Sequence, residues 1–343
     1  MPLWVTPASP EKAIAFWLVS RFVLALTLLV IACRLCVTLP RYVLLVSALG
    51  LVALVGYLQL FQPQLWPRTF IEGQGLTAFK VSMEWLLIAL FAPVIAPHDP
   101  AEQDLMSAQL PPAFMRGGEA AFPLGTDSLG RCVLSRLMYS ARTAVSVALI
   151  ASLLAAIIGI ALGLVAGAFG GVPDQSVSRL IDVWMAFPPV LLSIVLAAVI
   201  GAGLVSVIAA IVVVDWTRFA RIIRAETQAQ LARDYAAAAR VLGLTRAQAL
   251  RLEILPNLVP LIVTLLAVEM GIAILVEVIL SFVGISVTGD TASWGGMITE
   301  GRQIVYQAPW IMALPILAVI ISVIGFNLLG DGLRAALDPV QRR

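Results

Sequence analysis

Residues 183–214 run without a single Asp, Glu, Lys or Arg, and residues 143–167 do the same. Such a run cannot make the surface helix of a soluble domain, which needs polar residues opposite its apolar stripe. About 20 apolar residues are enough for one helix to cross the hydrocarbon core of a bilayer. The composition agrees: 61% of the residues are hydrophobic, 12% are charged and the mean hydropathy is +0.99, against about 25% charged in a typical soluble chain. The fold class is therefore an all-α polytopic membrane protein, because only helices satisfy the backbone within each such segment. The net charge of +2 is too small to point to nucleic acid.

Read for spans, the chain offers 13–33, interrupted by Arg21, and then 42–61. The stretch 62–79 is polar and punctuated by Pro and Gly. Further spans follow at 80–96, 143–167, 257–284 and 309–329. The long run 183–214 is too long for one helix, and Gly201-Ala202-Gly203 near its middle suggests a tight hairpin joining spans at 179–200 and 204–219. This divides the chain into an N-terminal extension, 1–79, with two spans, and a core, 80–343, with six. Lys12 ahead of the first apolar run and Cys33 after it resemble a lipoprotein signal. The run exceeds the 7–15 residues of a signal core, so it is read as a retained span.

Orientation comes from Lys and Arg in the short loops. Arg218, Arg221, Arg224, Arg233, Arg240, Arg246 and Arg251 crowd residues 215–256, whereas 285–308 offers only Arg302. Residues 215–256 and the C-terminus are thus expected in the cytoplasm and 98–142 outside, in a bacterial-type cytoplasmic membrane.

Within the basic stretch, Asp234–Leu255 carries a pattern with mechanical meaning. Tyr235 leads into an Ala-rich run, which forms helix readily and has little side-chain bulk. Gly243 can end that helix, Thr245 can cap a second one starting at Arg246, and Pro256 is expected to break it just before the next span. Two readings stay open on residue chemistry alone: a helix–turn–helix with a surface for another protein, or an amphipathic linker on the membrane surface.

Several ordered motifs resemble the permease subunits of binding-protein-dependent ABC importers. The pattern Ala238-Ala239-x-x-x-Gly243 followed by Ile254-Leu255-Pro256-Asn257 is similar to that family's coupling-loop motif. Pro123-Leu124-Gly125-Thr126-Asp127-Ser128-Leu129-Gly130-Arg131 resembles a block of the C-type permease of the oligopeptide/dipeptide/nickel branch. Further matching blocks lie at Tyr139-x-Ala141-Arg142, Ala186-Phe187-Pro188, Ser281-Phe282-Val283-Gly284, Ser293-Trp294-Gly295 and Asn327-Leu328-Leu329-Gly330-Asp331. The resemblance runs from about Leu86 to Pro339. It implies a six-span ABC permease core with coupling helices at about 220–256. It also implies four kinds of partner: a homologous second permease, two ATPase subunits, an extracytoplasmic substrate-binding protein and the lipid bilayer. ATP and Mg would be bound by the ATPase subunits and no cofactor by this chain. Docking to the ATPase would fall on Tyr235, Ala237, Ala238, Ala239, Arg240, Gly243, Ile254 and Pro256. The sequence departs from the pattern at Ala237, where the family usually has an acidic residue, and at Cys132, where Asp often follows Gly-Arg. Residues 1–79 have no counterpart in the usual subunit.

Glu269 and Glu277 stand inside the 257–284 span, where a carboxylate is costly and faces a cavity or a partner. Both are candidates for a translocation path or for structural groups within the bundle. Gly125, Thr126, Asp127, Gly130 and Arg131 are candidates for an external gate or binding-protein contact, with a local turn as the alternative. Gly159, Gly163 and Gly167 form a small-residue seam expected to pack helices. Cys33 and Cys36 are read as helix residues, since no second pair accompanies them. The single histidine, His98, excludes a His-cluster metal site, and no phosphate loop or nucleophile–base set is present. The chain is therefore not expected to be an enzyme. Its function is expected to be ATP-driven import of di/oligopeptides or related small solutes. The alternatives are an ion-coupled secondary transporter using Glu269 and Glu277, or the same ABC architecture carrying nickel or an opine-type metallophore.

Overall fold

In a computed structural model, the residues described are 75–286 and 291–337. All lie in the second of two compact units, Pro63–Arg343. The two N-terminal spans expected at 13–33 and 42–61 fall outside the described residues. Among those residues the secondary structure is helical, apart from one isolated bridge between Thr126 and Cys132.

Helix α1, Gly75–Ile95, precedes a long loop and α2, Val133–Phe169. At 37 residues α2 is about 55 Å long at ~1.5 Å per residue. It is far longer than the uncharged run 143–167, because Arg136 is satisfied by carboxylates and lets the helix continue beyond the apolar segment. Gly170, at φ +63°, stops it by a turn that a β-carbon would strain.

The single span expected at 179–200 is instead two helices with a sharp bend between them. Helix α3, Gly171–Met185, and α4, Pro189–Ile200, meet at 86°. The cause is Pro188-Pro189: neither ring has an N–H to donate, and each restricts the residue before it to extended backbone. The expected hairpin is present, with α4 ending at Ile200 and α5, Leu204–Leu231, beginning after Gly201-Ala202-Gly203. Both glycines have positive φ, 106° and 148°.

Helices α2 and α5 run parallel in close contact. A β-carbon on Gly159 would lie 2.4 Å from the Trp216 carbonyl oxygen, one on Gly163 2.8 Å from that of Ala220, and one on Gly167 2.7 Å from Thr227 Cβ. The three glycines are therefore a packing seam that lets the two backbones approach.

Beyond α5 come α6, Asp234–Val241, and α7, Arg246–Ala249, then a π-helical turn, Leu250–Ile254, and α8, Leu255–Phe282. The expectation that Pro256 breaks the chain here is wrong: residues Arg246–Phe282 form one continuous 37-residue apolar helix. Pro256 has no N–H for a carbonyl four residues earlier. The π turn shifts the hydrogen-bond register ahead of it, the Leu255 N–H donating to the Leu250 carbonyl, and the Asn257 side-chain amide donates to the Glu253 carbonyl at 2.8 Å.

A short helix α9, Trp294–Gln303, lies in what reads from sequence as an external loop, and α10, Trp310–Leu337, completes the described bundle. Trp294 is fully buried, edge-on to Trp85 at 5.1 Å, with its indole N–H donating to the Leu137 carbonyl. Each of the six expected core spans corresponds to a helix or to the bent pair. Three described helices are long and apolar enough to cross a membrane on those grounds alone, or four with the bent pair counted.

Candidate functional site

The candidate docking surface is the α6–α7 hairpin. Gly243, at φ +85°, turns the chain between the helices, and a capping box closes the start of α7: the Thr245 hydroxyl accepts from the Gln248 N–H and the Gln248 side chain accepts from the Thr245 N–H. Of the residues singled out from sequence, Ala237, Ala238, Gly243 and Pro256 are exposed. Ala239 and Ile254 are buried, Ile254 against Ile223 and Leu258, so they support the surface from beneath and cannot touch a partner. Tyr235 is half-buried, its hydroxyl donating to the side-chain amide oxygen Oε1 of Gln230 at 2.7 Å. The Arg240 side chain is outside the described set.

Sequence reasoning missed three residues here. Val241 is 87% exposed, Leu242 79% and Leu252 60%. Large apolar side chains left in water at a helix end mark a contact surface when they cluster. The available signal was a Val-Leu pair just before the glycine that ends an otherwise small and polar helix.

At the opposite end of the bundle, the 125–131 segment is a built structural turn. Gly125 and Gly130 have φ of 77° and 75°, and a β-carbon on Gly130 would fall 1.7 Å from the Asp104 carbonyl oxygen. The Thr126 hydroxyl donates to the Ser107 carbonyl and accepts from the Leu110 N–H. Asp127 is buried and accepts from the Arg131 N–H, from Arg131 Nε at 2.7 Å and from Arg136 Nη1 at 2.5 Å. Both arginines also donate to Glu300 on α9. Two cations and two carboxylates thus pin the loop, the start of α2 and α9 together, and Asp127, Thr126 and Arg131 are too buried to meet a binding protein directly. Nearby, the Ser107 hydroxyl and Met106 N–H hold the exposed Asp104 carboxyl below the usual carboxylate range.

The two intramembrane carboxylates have separate surroundings. Glu269 is buried and ion-paired with Arg218 of α5, Nη1 to Oε2 at 2.9 Å, while Arg218 also lies 3.6 Å from Asp215. Glu277 is buried and accepts from Ser281 at 2.8 Å and from Ser286 at 3.4 Å. Neither borders a described cavity. Among the described residues no group of three or more His, Cys, Asp and Glu is placed to hold a metal ion.

The described residues form an all-α bundle of apolar helices with a protruding helical hairpin. Residues 159–343 match the family described as "binding-protein-dependent transport system inner membrane component", and this chain belongs to that family. It is a permease subunit of a binding-protein-dependent importer and a multi-pass protein of the inner membrane. It is 38% identical over 273 residues to the di/tripeptide transport system permease protein DppC of Pseudomonas aeruginosa, covering 79% of this chain and 90% of that one. The dipeptide transport system permease protein DppC of Escherichia coli K12 is 41% identical over 255 residues, 74% of this chain and 85% of that one. The nickel transport system permease protein NikC of the same strain is 37% identical over 253 residues, 74% and 89%. Among solved structures, a chain of the MetNI methionine ABC transporter in inward-facing form shares the fold, with TM-score 0.50, 19% identity and coverage of 59% of this chain and 97% of that one. Residues 1–97 match a second family, "membrane-associated sensor domain". That match includes α1, yet a β-carbon on Gly325 of α10 would meet Val81 of α1 at 2.9 Å, so α1 packs as part of the permease bundle.

Proposed function

We propose that this chain is one of two pore-forming subunits of an importer that moves di- or oligopeptides, driven by ATP bound with Mg on two separate ATPase subunits. A homologous second permease completes the pore, and an extracytoplasmic binding protein delivers the solute. The observation that carries this reading is the hairpin: exposed Val241 and Leu242 end α6 at the turn, and exposed Leu252 lies in the first turns of the helix that runs unbroken from Arg246 to Phe282. An ATPase seated there would move the span directly. The hairpin and the C-terminus are then cytoplasmic. The peptide class is favoured by the DppC relatives, and NikC supports nickel or a metallophore as the second reading.

Residues 1–79 are proposed to be an appended membrane module with two spans, outside the transporting core of residues 80–343. Its match to a sensor family suggests a regulatory role.

The test is a reconstituted complex in proteoliposomes with its binding protein. Uptake of a peptide retained by that protein, together with stimulated ATP hydrolysis, is the expected result. Uptake driven by an ion gradient without ATP would overturn the reading. The solute that co-purifies with the binding protein decides between peptide and nickel.

A further inference from the structure

Tyr139, Arg142, Thr143 and Ser146 recur at spacings of three and four residues on α2, so they share one face of that helix. They line one wall of a cavity of about 480 Å³, with Pro100, Leu204, Thr291 and Ala292 around the rest. The volume falls in the usual range for small-molecule pockets, about 300–1,000 Å³. The cavity lies at the end of α2 remote from the α6–α7 hairpin. Gly167, near the hairpin end, is about 37 Å further along the helix than Arg142.

The polar groups of this wall differ in what they already hold. The Thr143 hydroxyl donates to the Ala292 carbonyl at 3.1 Å and fixes the wall. The Tyr139 and Ser146 hydroxyls have no hydrogen-bond partner among the described residues. Arg142 is exposed and has no carboxylate partner among the described residues, although Arg131, Arg136, Arg218 and Arg224 each have one. It is a cation with no acidic partner among the described residues, at an open cavity whose Pro and Leu walls exclude part of the solvent and strengthen its field. Below it, at the same helical spacing, the exposed side chains are Ile150, Leu153 and Ile157. The face thus changes from a cationic mouth to an apolar track.

We propose that Arg142, flanked by Tyr139 and Ser146, receives the free carboxylate of the transported peptide as it leaves the binding protein. This rests on the peptide-importer reading above. A guanidinium can grip a carboxylate through two parallel N–H donors, and the adjacent hydroxyls can donate to the same oxygens. The apolar track beneath offers no second polar hold, so the substrate is oriented at the mouth without being trapped along the way. The site selects for carboxylate-bearing solutes and against amidated ones.

The experiment uses the full complex in nanodiscs, with Cys33, Cys36 and Cys132 replaced by Ala and Ser146→Cys introduced as a reporter for a water-soluble maleimide. Alanyl-alanine is expected to slow modification several-fold and its C-terminal amide is not. Arg142→Gln should abolish the protection, and Arg142→Lys, which keeps the charge without the fork, should retain part of it. Equal protection by the amide, or none by either compound, overturns the site. So does a modification rate that ignores peptide but changes when phosphatidylglycerol replaces phosphatidylcholine, which would make Arg142 a lipid-headgroup residue. Uptake in proteoliposomes separates the two readings. Protection without dipeptide uptake upholds the site and removes the dipeptide assignment, whereas uptake without protection does the reverse.

Discussion

Arg218 of α5 and Glu269 of α8 are joined at 2.9 Å between two membrane helices, with Asp215 a turn away as a second, more distant carboxylate. This pairing supports the structural one of the two roles open to Glu269 from sequence. A carboxylate already neutralised by a neighbouring helix is a tie between spans.

Breaking that tie on one side should be costly. Removing one partner of a buried pair typically costs about 3–5 kcal/mol, and the value here should fall below that because the Arg218 side chain is 34% exposed and Asp215 is an alternative partner. Glu269→Gln should lower the thermal midpoint of the purified complex and reduce uptake of all solutes alike. A paired Arg218→Met, Glu269→Met variant should recover much of the midpoint, which a double-mutant cycle would read as coupling. Unchanged stability with loss confined to cationic solutes would return Glu269 to the translocation path.

The α2–α5 seam makes a steric prediction. Gly159→Ala places a methyl group 2.4 Å from the Trp216 carbonyl oxygen, so the helices must separate. Overpacking of this kind costs about 1–3 kcal/mol. Reduced yield of folded complex and a lower thermal midpoint are expected, measured by fluorescence-detected gel filtration. Gly170→Ala meets no neighbour within 4 Å and should show only the smaller cost of its positive φ.

Docking can be separated from folding at the hairpin. Val241→Glu and Leu242→Glu change side chains that face solvent, so the subunit should insert normally while losing the ATPase in co-purification. The larger Gly243→Trp should do the same. Full ATPase content with normal uptake in these variants would remove the hairpin from the interface.

Continuity between hairpin and span gives a different outcome. Two glycines inserted after Ile254 should leave exposed Val241, Leu242 and Leu252 intact but soften the junction. ATPase binding and basal hydrolysis are expected to persist while peptide uptake falls, measured in the same proteoliposomes. Normal uptake would show that a rigid junction is not required.

Much of this was legible in the residues, and the failures have physical causes. The uncharged runs located the spans, and Gly243 with Thr245 located the hairpin turn because each acts through its own backbone. Pro256 misled because its effect depends on the preceding turn: the π register of Leu250–Ile254 absorbs the missing donor. Helix α9 was hidden because its buried face is made by Trp85 and Leu137, more than 150 positions away in the case of the Leu137 carbonyl. The charged cluster was half visible. Asp127 and Arg131 stood out together, but Arg136 and Glu300 join them only in three dimensions.

That cluster also sets a schedule for the growing chain. Glu300 lies 164 positions after Arg136, and at synthesis rates of about 5–20 residues per second it emerges roughly 8–33 s later. Through that interval two arginines share Asp127 alone, leaving one positive charge beside a half-inserted bundle. The charge balance that joins the 125–131 loop, the start of α2 and α9 is therefore complete only once Glu300 has been made.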